Sequence, residues 1–476
     1  MVVRSGEQLS RIGSIAEVFD DHTPLALMAS GRFEDRAFTL IGRLQYKSST
    51  GLWTEWNALF DGGDTAFLSE DNGAYVMARP HALRSELPDA SQFQVGASVA
   101  VDGTPYSVAS NDLVALVSAQ GELPKLPAPG VSFPSVELRS ASGEVLSLEY
   151  APGAPGQPLA ASLGVAVLLE DLRLSGLRDE SVRNEQGARQ FSCPNCGAPV
   201  TLQLDTTKSL TCRNCNSIID VSAGIGGELR HAQQSEPVSP LIPLGSMGRL
   251  QGVDWQVVGF QHRMGQAPDD DEQFGWSEYL LFNRSRGFTF LVDAEDGWSV
   301  VKPVTGAPKL SGNGQSANYL GLTYHLDYSY NAETRYVAGE FYWPVERGQR
   351  SVNRDYSLAG SMLSSEKTPS ELTWSSGNKI GSDAVVTAFN MKDRIDRFKR
   401  SDASPLSSKP ALGCGTIILI LIVLVILVAI LSTCSGGTGS GYSSGYGRAQ
   451  FGRIVRRLLE RRRPQVTPIS GVLHEH

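Results

Sequence analysis

The four cysteines Cys193, Cys196, Cys212 and Cys215 form two C-x-x-C pairs separated by fifteen residues in "FSCPNCGAPVTLQLDTTKSLTCRNCNSIIDVS". That spacing is that of a four-thiolate zinc ribbon. Four cysteines complete a tetrahedral shell and leave no open position for a water, so zinc is expected as a structural ion. Each pair can wrap the ion only if the chain turns sharply behind it. Gly197 and Asn216, each directly after the second cysteine of its pair, suit the positive φ of such a turn. Between the pairs the sequence alternates as strand, polar turn (205–208) and strand, which predicts one hairpin closed by the metal and able to present a binding face. Thiol redox chemistry competes with this reading, but it typically places a single C-x-x-C at the start of a helix.

Two carboxylates are candidates for acid–base work. Glu55 lies in W-T-E-W and Glu278 in W-S-E-Y, each two residues after a tryptophan, Trp53 and Trp276. On a strand, residues two apart share a face, so indole and carboxylate are expected to touch. An apolar ring beside a carboxyl disfavours its charged form and raises its pKa. They are weak candidates, since no nucleophile or base accompanies them in the sequence, and the competing reading places both on the solvent side of a strand. The histidines His22, His81, His231, His262 and His325 show no metal-binding spacing, and Asp269 to Glu272 lack the alternation of a calcium loop. Neither a G-x-S-x-G nor a phosphate-binding G-x-x-x-x-G-K-[ST] is present, so the corresponding hydrolase and nucleotide-binding templates do not apply.

The elements that position these residues are repeated. "FTLIGRLQYKSSTGLWTEWNALFDGGDTAFLSEDNGAYVMARP" and "WQVVGFQHRMGQAPDDDEQFGWSEYLLFNRSRGFTFLVDAEDGWSVVKPV" match Gly42 with Gly259, Trp53 with Trp276, Glu55 with Glu278 and Trp56 with Tyr279. They also match Phe67 with Phe290, Leu68 with Leu291, Gly73 with Gly297 and Tyr75 with Trp298. Period-two alternation broken by Gly, Asp and Asn predicts a mainly β fold: duplicated antiparallel modules, sandwich or partly open barrel, with an inserted ribbon. The expected order is a first β module (1–90), a middle β region (91–185), the ribbon (186–225), a second β module (241–390) and a basic juxtamembrane linker (391–412). A transmembrane helix (413–434) and a Gly/Ser-rich, then Arg-rich, tail (435–476) complete it. The best soluble helix candidate is "DAVVTAFNMKDRIDRFKR".

The membrane span rests on "GCGTIILILIVLVILVAILSTCS", which is uncharged and of spanning length. Lys392, Arg394, Arg397, Lys399, Arg400 and Lys409 precede it, and only Arg448 and Arg453 lie within the twenty residues after it. This asymmetry predicts a single-pass protein of the inner or plasma membrane, its large N-terminal head in the cytoplasm. The N-terminus has no signal-peptide core, in keeping with that orientation. The chain carries −8 overall while the segment from Ala411 is basic, so the head is the more acidic part. Acidic charge repels phosphate backbones, so nucleic acid is not an expected partner, whereas membrane lipid and unidentified proteins are.

The W-x-E elements, "GELP" at 121–124, "GEFYWPVERG" at 339–348, the ribbon between the copies and the late apolar span together resemble the bacterial domain-of-unknown-function family four-one-seven-eight. The resemblance implies a membrane-attached protein with a link to membrane stress, and it assigns no biochemical activity. A cytoplasmic binding or scaffold module is therefore the leading expectation. An enzyme acting at the paired W-x-E elements is a second, and a lipid or polyamine sensor, resting on the acidic charge, a third.

Overall fold

The computed structural model describes residues 23–48, 51–71, 74–123, 128, 130–153, 155–178, 190–204, 207–222, 229–234, 237–268, 271–284 and 286–400, with the backbone of 2–5 and 8–11. The apolar segment 413–434, the tail 435–476 and Gly73 lie outside the described residues. Among the described residues no helix is long and apolar enough to cross a membrane.

The chain builds two closed eight-stranded antiparallel barrels. The first uses β1 (Arg36–Lys47), β2 (Leu52–Phe60), β3 (Thr65–Asp71), β4 (Ala74–Pro80), β5 (Thr104–Leu123), β6 (Ser132–Ser140), β7 (Glu144–Glu149) and β8 (Ala160–Val167). Around the barrel the order is β1-β2-β3-β4-β8-β7-β6-β5, and β5 pairs back onto β1. Two four-stranded meanders thus meet at two seams, β4 with β8 and β5 with β1. β5 serves two neighbours because it bends: it pairs with β6 over Tyr106–Ala115 and with β1 over Ala115–Gly121.

Four short strands, β9 (Gln190–Ser192), β10 (Pro199–Thr201), β11 (Ser209–Thr211) and β12 (Ile218–Asp220), carry the cysteines. The second barrel then repeats the first with β13 (Val253–Gln266), β14 (Gln273–Asn283), β15 (Gly287–Ala294), β16 (Gly297–Val304), β17 (Leu322–Phe341), β18 (Arg350–Leu358), β19 (Ser361–Lys367) and β20 (Leu372–Ile380). Its order, β13-β14-β15-β16-β20-β19-β18-β17 with β17 closing onto β13, is the same.

The closing seam has one chemical requirement in both copies. Gly42 lies opposite Gly121, and Gly259 opposite Gly339. A Cβ on Gly42 would stand 2.0 Å from the Glu122 carbonyl oxygen, and one on Gly339 2.2 Å from that of Val258. Gly121 and Gly339 also adopt positive φ, +80° and +90°, beside a bulge in the facing strand. The backbones approach this closely only because neither residue has a side chain.

The strands are two-sided. One face of the first barrel is apolar and lies beneath covering segments, Leu40, Trp56 and Leu68 under Leu25 and Leu172, and Val136 and Leu146 under Leu87 and Phe93. The opposite face carries the apolar cluster of Leu44, Tyr46, Leu116 and Phe133 and, followed through the pairings Glu55–Ser69–Val76–Ala166 and Val145–Gly164, Ser147–Ser162, small and polar residues beside it. It is the inner face, since residues from strands on opposite sides of the ring, Glu55 of β2 and Glu149 of β7, act on each other across it.

Several sequence expectations need correction. The sandwich or partly open barrel is a closed barrel, because β5 and β17 are long enough to reach both neighbours. Residues 91–185 are not a separate middle region: β5 to β8 supply half of the first barrel, pairing with strands of 1–90. The helical candidate forms α1 (Ser382–Ala388) and a final turn, α2 (Ile395–Phe398). The start of the expected linker, 391–400, is therefore part of the body. Phe398 is fully buried against Trp298, whose Nε1 donates to the Phe398 carbonyl at 2.9 Å, and Arg400 makes a two-pronged ion pair with Asp293.

Candidate functional site

Glu55 and Glu278 occupy matching places on the inner faces of the two barrels, and each receives a hydrogen bond from its tryptophan. Trp53 Nε1 donates to Glu55 Oε1 at 3.3 Å, and Trp276 Nε1 donates to Glu278 Oε1 at 2.6 Å. The contact within W-x-E is as the strand period requires. The solvent-facing alternative does not hold, because both carboxylates point into a barrel.

Each glutamate has a partner that the sequence reading missed. Glu149 faces Glu55, and Glu366 takes the same place in the second barrel, since Ser135 opposite Glu149 corresponds to Asn353 opposite Glu366. The signal was available: Gly143 and Gly360, each at the tip of the same hairpin, are both followed six residues later by Glu. These stretches lie outside the two segments matched as a repeat, so the acid pairs stayed hidden.

The two pairs differ in what balances them. In the second barrel Arg263, 5% exposed, bridges both acids. Its guanidinium donates to Glu366 at 3.0 and 2.8 Å and stands 3.6 Å from Glu278, while Gln261 Nε2 donates to Glu278 at 2.5 Å. Burial pushes the Glu366 carboxyl up, and the arginine outweighs it, leaving the group below its ordinary value. Tyr330 and Ser364 donate to Asp355 on the same inner face. The arginine also lies over the Trp276 ring at 5.5 Å.

Counting from the seam glycines, Arg263 corresponds to Tyr46 and Gln261 to Leu44; both copies pair these positions with the W-x-E strand in the same register. The first barrel therefore lacks both donors. Tyr46 stacks on Trp53 at 5.4 Å where the arginine would lie. Burial and the charge of Glu149 push the Glu55 carboxyl up to about 7, against which the Trp53 hydrogen bond pulls weakly down. Burial also raises Glu149. Both side chains remain partly accessible, so water reaches them inside the barrel. A carboxyl near neutrality in such a place can hold or release a proton, or accept a cation.

The four cysteines come together as their spacing predicts, with all four Sγ atoms within 4.8 Å of one another. Cys193 and Cys215 approach to 3.7 Å and Cys196 and Cys212 to 3.8 Å. A tetrahedral ion with bonds of about 2.3 Å asks for S···S of about 3.8 Å, so the group fits a metal ion. Gly197 (φ +74°) and Asn216 (φ +58°) take the expected left-handed conformation. Their amides donate at 2.9 Å to the carbonyls of Cys193 and Cys212, closing two identical knuckles.

The strands around the four cysteines are not one hairpin, however. β9 pairs with β10 and β11 with β12, one hairpin per knuckle. β11 pairs in addition with the end of β17, and Glu340 accepts hydrogen bonds from the amides of Gln203 and Leu204 and from the Thr207 hydroxyl. The ribbon is in this way fastened over one end of the second barrel, where Leu204 and Ile218 join Leu280 and Phe341. At the equivalent edge of the first barrel, Val2 and Val3 pair in parallel with Glu122 and Leu123.

A separate cavity of about 680 Å³ lies between the barrels, lined by Arg32, Glu34 and Glu170 of one and Arg286, Lys302 and Tyr342 of the other. Its charges are mixed, and Arg286 already pairs with Glu170 at 2.8 Å across it.

No curated protein and no solved structure matches the chain. The sequence model of the family described as Domain of unknown function (DUF4178) matches it twice, at residues 29–168 and 243–382. Each match covers one barrel from its first strand to its last, and the two together span more than half of the residues. The chain thus belongs to that family, carrying its domain in duplicate, one copy on either side of the cysteine cluster.

Proposed function

We propose that this chain is a membrane-attached binding protein whose receptor chamber is the interior of the first barrel, the second barrel and its zinc-bound ribbon serving as the framework. One observation carries the reading: the same inward-facing acid pair is neutralised from within by Arg263 in the second barrel, and among the described residues no cation stands against it in the first. Uncompensated acids inside a fold destabilise it, so a fold retains them where an occupant offsets the charge. Zinc suits the four thiolates, and its role here is to hold the two knuckles to each other and to the second barrel. The apolar segment 413–434 supplies the anchor, and the basic residues before it favour a cytoplasmic body.

The test is native mass spectrometry of the full-length protein extracted from membranes. A small molecule bound to the wild type, lost in Glu55→Gln and Glu149→Gln and kept in Glu278→Gln, supports the reading. Equal occupancy in all four proteins, or no bound small molecule in any, overturns it. Elemental analysis showing one zinc per chain checks the ribbon, and protease protection in intact cells checks the orientation.

Glu55 also favours a second reading. Held near neutrality, it suits a general acid or base, which would make the chamber an enzyme site. Conversion of the retained molecule by the wild type and not by Glu55→Gln would select that reading over simple binding.

A further inference from the structure

The second barrel shows what satisfies this acid pair. It is a planar guanidinium, laid over the tryptophan of W-x-E and shared between two carboxylates on opposite walls. Position for position, the first barrel keeps both acids and the tryptophan and gives up the side chain that delivers the guanidinium. In place of Arg263 it carries Tyr46, whose ring stacks with Trp53 and completes an aromatic wall beside the acids. In place of Leu280 it carries Asn57, on the inner face two residues from Glu55. Asn57 is 3% exposed and its Oδ1 finds no hydrogen-bond donor among the described residues. The exchange thus removes the donors, adds an unused acceptor and leaves an aromatic surface.

Resting on the binding reading above, we propose that the first barrel takes a small molecule with a guanidinium head, seated between Glu55 and Glu149 beside the stacked rings of Trp53 and Tyr46. A guanidinium matches carboxylates two N–H groups at a time and stacks on aromatic faces, which a hydrated metal ion does not do. A hard cation such as calcium asks for six or more oxygen ligands, and two carboxylates beside two rings do not provide them. Because Glu55 is partly protonated near neutral pH, seating the cation displaces a proton.

The experiment is calorimetry of the full-length protein in detergent with n-butylguanidinium at pH 6.5, in two buffers of different ionisation enthalpy. The expected result is saturable binding with release of a proton, at least tenfold weaker in Glu55→Gln and in Glu149→Gln. Tyr46→Arg, which supplies the guanidinium from within as the second barrel does, is expected to abolish binding and to raise the melting temperature, so the loss is not unfolding. Unchanged binding in Tyr46→Arg overturns the proposal. Binding of calcium in the same chamber with none of butylguanidinium overturns the ligand class and leaves the chamber standing. Absence of any retained molecule in the mass spectrometry above removes the chamber itself and the proposal with it.

Discussion

The two barrels share a strand order, a glycine seam and an inward-facing acid pair, yet one is a closed electrostatic unit and the other is not. In the second barrel the pair is held by Arg263, Gln261 and Trp276. In the first, Trp53 alone remains among the described residues, and burial with the charge of Glu149 raises the Glu55 carboxyl to about 7. Duplication leaves one copy free to maintain the fold while the other departs from it. The ribbon follows the same division, fastening through Glu340 onto the barrel that is already balanced.

The comparison is tested most severely by removing the zinc proposed for the four cysteines. Free energies of roughly 10 kcal/mol are typical for structural zinc in small domains, so chelation is expected to unfold the ribbon outright. Hydrogen exchange should then rise at Leu204, Ile218 and the end of β17, with the first barrel unaffected. Equal loosening of both barrels would show that the ribbon is not specific to the second.

Replacing Arg263 by Met leaves Glu278 and Glu366 facing each other without a cation. Loss of one partner from a buried ion pair costs about 3 to 5 kcal/mol, to be read from urea unfolding at pH 7. Because carboxyls so placed retain protons, part of the loss should be recovered near pH 5. The variant would make the second barrel resemble the first.

Glu55→Gln works in the opposite direction. A carboxyl raised from its ordinary 4.5 to about 7 means that the folded state holds a proton the unfolded state has released. Its unfavourable effect is absent below pH 4.5, grows as pH rises through that window and is complete above pH 7. Glu55→Gln should therefore leave stability at pH 4.5 nearly unchanged and raise it by about 3 kcal/mol at pH 8. A wild type whose stability does not fall between these values would show that Glu55 is not protonated in the folded protein.

The smallest effect separates the two indoles. Trp276→Phe removes a short bond to a paired carboxylate and is expected to cost about 2 kcal/mol, whereas Trp53→Phe removes a long one and costs about 1 kcal/mol. Denaturation of the two variants side by side at pH 7 measures the difference.

Much of this was legible in the sequence. The knuckle turns at Gly197 and Asn216, the shared face of Trp53 and Glu55, and the matching of Gly42 with Gly259 all follow from local rules of spacing and φ. What escaped depends on pairing over distance. Glu149 lies ninety-four residues from Glu55 and meets it only because β2 and β7 stand on opposite sides of a ring that the local pattern does not close. The exchange of Arg263 for Tyr46 is visible once both copies are counted from their glycines, but its meaning appears only with the acids in view. The charges of Arg397, Lys399 and Arg400 resemble those of a tether, although the apolar Ile395 and Phe398 beside them mark a turn that packs.

Each ring is completed at a place where two main chains come nearly into contact, Gly42 against Gly121 and Gly259 against Gly339. An alanine there would not merely crowd a core; it would hold the join apart and leave two long strands with unused amides and carbonyls. Such margins are templates for pairing with another molecule. The residues that allow each cylinder to shut are therefore also its protection against fibrous self-association.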